Sequence, residues 1–175
     1  MTRDHQHTEY SLTLEIPPPP TIFSETVFPL PVIVAISTPD ITKGRARQYL
    51  VAHASLRNHT GSSPVPVLRG NLTSCVACFD SNSNTGYAVF SGLKITEPRQ
   101  YMLRILLGAA TPSGVIIRQY VDSEVFQVQE NSPTRHRPTP AHMAVLTRLI
   151  AKGLDMEIAD VAAFHLGDSP MLSRK

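Results

Sequence analysis

Apolar and polar positions alternate through most of the first 130 residues. The clearest run is "TGYAVFSGLKITEPRQYMLRILLG", residues 85–108, in which large apolar side chains alternate with small or polar ones. A period of two sends successive side chains to opposite faces, so the run predicts two short strands around a polar break at Thr96–Arg99. The same reading extends in both directions. "VFPLPVIVAIS" passes from proline punctuation into a β-branched run, Val32–Ile36, that predicts a buried strand. "QYLVAHASLRNHTG" predicts a strand ending in a turn, "SSPVPVL" an edge or connection, and "GNLTSCVACFD" a further strand closed by "SNSNTG". After "AATPSG", the stretch "VIIRQYVDSEVFQVQ" reads as strand throughout. About seven strand segments at these spacings predict a mainly β chain, an antiparallel β-sandwich.

The period changes after the hydrophilic linker "ENSPTRHRPTP". "AHMAVLTRLIAKGL" places Met143, Leu146, Ile150 and Leu154 at helical spacing, with Gly153 as the stop. "DMEIADVAAFHLG" predicts a second short helix capped by Asp155, before a loose tail. At the other end, "IPPPP" (16–20) fits neither helix nor central strand and reads as a stiff polyproline spacer. The expected organisation is a flexible segment over 1–20, a sandwich domain with its C-terminal helix over 21–154, and a short helix and tail over 155–175.

With 175 residues and 42% hydrophobic side chains, the chain can bury one core. No apolar run approaches the roughly 20 residues of a membrane span, and "MTRDHQHTEYSL" holds no secretory signal, so an intracellular protein is expected. Cys75 and Cys78 form a lone C-x-x-C on a strand, without the second ligand pair a zinc site needs, and read as reduced thiols. The seven histidines show no metal spacing. Asp122 and Glu124, two apart, could mimic a carboxylate pair, but a solvated strand edge is the better account of them. No nucleophile, phosphate-loop or metalloprotease motif occurs. No enzyme, catalytic residue, cofactor, metal or small-molecule substrate is expected.

Charge narrows the remaining classes. Sixteen basic against 14 acidic residues leave only +2, so any nucleic-acid-binding face has to be local, dimeric or both. Two clusters qualify as DNA-binding candidates: Lys43, Arg45 and Arg47 in "TKGRAR", and Arg135 and Arg137 in "TRHRPTP". Loops at one end of a sandwich can reach a phosphate backbone; equally, exposed cations can simply solubilise two loops.

In this order the segments resemble the velvet domain of fungal regulators. "FPLPVIVAIS" is similar to the family's proline-led second strand, and "YLVAHASL" to its next strand. "VLRGNLTSCVACFDSNSNTGYAVFSGLKI" is similar to the segment from an "L-x-G-T" strand through a polar turn to "G-Y-F-V-F-P-D-L". "QYMLRILL" resembles "Y-R-L-R-F-S-L", "SEVFQVQ" resembles "S-x-V-F-x-V", and "MAVLTRLIAKGL" resembles the terminal "S-T-x-L-x-R-x-F-A-x-Q-G" helix. The resemblance implies an immunoglobulin-like sandwich related to the Rel homology domain. It further implies a nuclear homo- or heterodimer with another velvet-domain protein, acting on promoter DNA in development, sporulation and secondary metabolism. Residues 86–107 would then be framework, burying Tyr87, Val89, Leu93, Tyr101, Leu103 and Ile105 between the sheets. In one respect the chain departs from the family. The loop after the first strand is Arg-rich and Cys-containing in velvet proteins, whereas "IPPPPTIFSETVF" has neither residue type. Two expectations follow: a regulator whose DNA contact is partly supplied by a partner, or an interaction module without direct DNA contact. In the second, Met143, Leu146 and Ile150 would form the partner-binding face of an exposed helix.

Overall fold

The computed structural model describes residues 10–37, 49–76, 85–130 and 139–153. The fold is mainly β, with two sheets closing on a common apolar interior, an arrangement compatible with a β-sandwich. The smaller sheet is antiparallel: β1 (Ser11–Ile16), β3 (Val32–Ser37) and β7 (Thr85–Phe90), in that order. The larger has the order β2 (Thr21–Phe23), β11 (Phe126–Gln129), β9 (Gln100–Thr111), β4 (Tyr49–Asn58) and β6 (Thr73–Cys75), with β10 (Gly114–Asp122) paired to β9. A two-stranded ribbon of β5 (Leu68–Arg69) and β8 (Lys94–Ile95) bridges them.

Alternation explains which faces meet. Val32, Val34 and Ile36 of β3 join Ala88 and Phe90 of β7 in the core, facing Ala52, Ala54 and Leu56 of β4 and Tyr101, Leu103, Ile105 and Leu107 of β9. Leu93, Tyr101, Leu103 and Ile105 are buried there as expected, each contributing about 1.5–3 kcal/mol. Tyr87 and Val89 are not in that layer. They lie half-buried on the opposite face of β7, against a second cluster formed by Ile16, Leu30, Ile33, Leu146 and Leu149. β7 is therefore covered on both sides, with Phe90 on the inner face and Tyr87 on the outer one. The two strands of the 85–108 run, β7 and β9, belong to different sheets, joined through β8.

The N-terminal segment likewise differs from a flexible lead. Ser11–Ile16 pairs along β3, and a shift in register between Leu14 and Ile16 turns Ile16 away from the core onto the second cluster. That cluster is closed by α1 (Pro140–Ala151), capped by the Thr139 side chain, which accepts from the His142 backbone N–H at 3.2 Å. Gly153, at φ +100°, ends the helix and donates to the Ile150 carbonyl. The second predicted helix lies outside the described residues.

The strand expected over 115–129 is interrupted at Ser123–Val125. Ser123, buried, keeps the ladder closed across the break. Its backbone N–H donates to the Leu103 carbonyl at 2.8 Å, and its hydroxyl accepts from the Leu103 N–H at 2.9 Å. Beyond the break, β2 runs parallel to β11 and covers its outer edge.

At the start of β9 the Tyr101 hydroxyl donates to the Glu97 carbonyl at 2.8 Å. Burial, and secondarily the Glu97 carboxylate, raise this phenol above its usual 10, with Arg99 opposing. The unfolded chain therefore ionises first as pH rises. The contribution is complete below pH 10 and is lost as pH climbs from 10 through the higher folded value. Tyr101→Phe is expected to cost about 1 kcal/mol at neutral pH. The gap between mutant and wild-type urea midpoints should narrow above pH 10. A gap that stays constant to pH 11 would show that the phenol is not buried with its proton.

Candidate functional site

The outer face of the larger sheet carries the chemistry that the described residues bring together. Hairpin register sets Asp122 of β10 opposite Arg104 of β9. Arg104 Nε donates to Asp122 Oδ1 at 2.7 Å and its Nη2 to Oδ2 at 2.8 Å, a two-pronged pair. The guanidinium carbon sits 4.2 Å from the centre of the Tyr120 ring. The Asp122 hydrogen bond holds the Arg104 guanidinium above its ordinary value, against the opposing effect of burial. Asp122 is thus committed to an ion pair. Glu124 falls beyond the end of β10, so the two do not form a carboxylate pair on one strand face.

Next to this cluster the face turns apolar. Val115 and Ile117 share the outer side of the hairpin with Tyr120. Gly108 makes room for them: a Cβ there would lie 2.5 Å from Val115 Cγ1 and 3.8 Å from Val51 Cγ1. Val115, Ile116, Ile117 and Tyr120 are exposed by 57, 48, 57 and 51%. Sequence reasoning missed this surface, because an unbroken β-branched run reads as a buried strand. The available signal was the short "TPSG" turn, which makes the run the second strand of a hairpin and leaves its other edge unassigned.

The five DNA-binding candidates, Lys43, Arg45, Arg47, Arg135 and Arg137, lie outside the described residues. What is described is where their segments join the sheet. Tyr49, which follows the first, pairs with Ala110 at one end of β9. β11, which precedes the second, pairs at Gln100 and runs out past the other end. The pairs Tyr49–Ala110 and Asn58–Tyr101 are nine residues apart along β4, about 30 Å at 3.3–3.4 Å per residue. At the Tyr101 end, Asn58, His59, Val65, Arg99, Gln100 and Tyr101 line a shallow open recess.

Of the partner-binding candidates, Leu146 is 1% exposed, while Met143 and Ile150 are half-buried against the same cluster. The apolar face of α1 packs on β1 and β3 of its own chain. It is not a free docking face, and this corrects the expectation drawn from its spacing. Cys75 is a free, exposed thiol on β6, and Cys78 lies outside the described residues. Among the described residues no three His, Cys, Asp or Glu side chains gather as metal ligands, and no helix is long and apolar enough to cross a membrane. Compared with known proteins, the chain matches no family model and no curated protein.

Proposed function

We propose that this chain is a velvet-type regulator: a Rel-homology-like, immunoglobulin-like sandwich acting in the nucleus as a homo- or heterodimer. Its targets would be promoter DNA in the control of development, sporulation and secondary metabolism. The observation that carries the reading is the order of the family-like segments and where each falls. "VIVAIS" is β3, "YLVAHASL" lies in β4, and "LRG" forms β5 and the glycine after it. "QYMLRILL" lies in β9, "FQVQ" is β11, and "MAVLTRLIA" lies in α1. The immunoglobulin-like assignment also draws support from Tyr101. A tyrosine at the start of a strand, bonded to a carbonyl four residues upstream, is the corner that Greek-key sandwiches use.

In this reading Lys43, Arg45, Arg47, Arg135 and Arg137 meet phosphates. Binding of the chain to promoter fragments, alone and with a second velvet protein, should weaken with salt by a log–log slope of about −0.9 per neutralised phosphate. Replacing Lys43, Arg45 and Arg47 together by alanine should flatten that slope by about 3. No binding by either form, even at low salt, would remove the DNA reading.

The separation of the two segment exits favours a second reading, an interaction module that acts through a partner without touching DNA. With the face of α1 buried, its docking surface has to lie elsewhere on the sheets.

A further inference from the structure

We propose that β10 is a self-association edge, through which two copies of this chain pair antiparallel and continue the larger sheet from one copy into the other. The inference goes beyond the regulatory reading and does not depend on it, since it stands on the strand alone. Every residue from Gly114 to Tyr120 is exposed, so β10 projects past the layer that covers β9. Among the described residues β10 pairs with β9 and no other strand. Its continuation β11 is covered by β2, but β2 is three residues long and stops short of β10.

Natural sheets guard such edges with lysines, prolines, inward charges or bulges. β10 has one bulge, between Ile117 and Gln119, and one cation before Asp122, Arg118 at that bulge. The stretch Val115–Ile117 has no guard. Monomeric proteins rarely leave a contiguous apolar surface of this kind uncovered.

The strand itself identifies the occupant. A two-fold axis perpendicular to a sheet pairs a strand with its own copy, residues on the same face meeting. Centred on Ile116, the pairing sets Ile116 against Ile116, Val115 against Ile117 and Gly114 against Arg118 of the second copy. Three consecutive β-branched cross-strand pairs result, a combination that stabilises antiparallel ladders. The lone cation then faces a glycine. Centred on Arg118, the same strand would oppose two guanidiniums. Charge therefore selects the register, and the sequence complements itself there. On the outer face, Val115 and Ile117 of one copy meet Ile117 and Val115 of the other, joining two exposed strips into one covered strip. An isologous pair of this kind closes at two copies.

Sedimentation velocity on the full chain from micromolar to hundreds of micromolar tests the proposal. The expected species is a dimer, twice 19.2 kDa. Ile116→Lys and Ile117→Lys should each raise the dissociation constant by about a hundredfold or more, while at a dilution where wild type is also monomeric their melting curves should match its own, since both side chains are exposed. Val27→Lys and Val125→Lys, at exposed apolar positions elsewhere, should leave the dimer intact. With Cys75 and Cys78 replaced by serine, Ile116→Cys should cross-link to itself between copies under oxidation, reporting the register directly. A wild-type monomer at the highest concentration would overturn the proposal. So would a polymer larger than two, or a dimer indifferent to both lysine variants. None of these outcomes bears on salt-dependent DNA binding, so the two readings fail separately.

Discussion

Replacing Gly70 by alanine should destabilise the protein by about 3 kcal/mol or more, one of the largest effects of any single-methyl addition to this chain. Gly70 follows β5 with φ +117°, a backbone conformation that side chains of L-residues rarely adopt. A Cβ at that position would stand 2.3 Å from the Gly92 carbonyl oxygen, 2.9 Å from its carbon and 3.1 Å from Leu93 Cα. All three are backbone atoms, which no side-chain rotation can move aside. Relief would require parting the two connections that carry Leu68, Leu93 and Ile95, each buried in the core. Gly92→Ala provides the control. It shares the strained sign of φ, at +67°, but has nothing within 4 Å, and should cost only about 1–2 kcal/mol. Urea unfolding of both variants separates collision from conformational strain. Equal costs would mean that the two connections do not approach so closely.

Leu146→Asp should cost about 4 kcal/mol or more and release α1 from the sheet. Leu146 is 1% exposed among Ile16, Leu30, Ile33 and Leu149, where an aspartate would meet no partner. The melting temperature should fall by about 10 °C, with a loss of helical ellipticity. Ala144→Gln, on the exposed side, should change stability by less than about 0.5 kcal/mol. If Leu146→Asp melted like wild type and altered only association, the helix would be the free docking face that its spacing suggested.

That helix shows what a sequence of this kind can and cannot reveal. Its apolar spacing and its glycine stop are local properties, and both were legible. Whether the apolar face meets its own sheet or a partner depends on β1, more than 120 residues upstream. The same limit applies to β7. Alternation located the strand, but each of its faces carries a large ring, Tyr87 beside Val89 on one and Phe90 beside Ala88 on the other, and the core takes Ala88 and Phe90. When a strand is covered on both sides, side-chain size no longer distinguishes them. The run Val115–Ile117 failed in the opposite sense. β-branched side chains suit any strand, and what exposes these three is that, among the described strands, β10 pairs with β9 alone. The pair Arg104 and Asp122 lies 18 residues apart, and its register depends on a bulge that the letters do not announce. The five cations of the candidate DNA face were evident from composition, and their segments join the larger sheet at opposite ends.

Amide exchange, resolved by segment and repeated at two protein concentrations, tests the central claim most directly: a closed two-sheet interior with an interacting strand left outside it. Residues 32–36 and 103–107 should stay protected at both concentrations. The outward amides of 114–117 should exchange fast when dilute and slow when concentrated. Rapid exchange of 32–36 or 103–107 would contradict the shared interior, and concentration-independent exchange of 114–117 would contradict the role given to the strand.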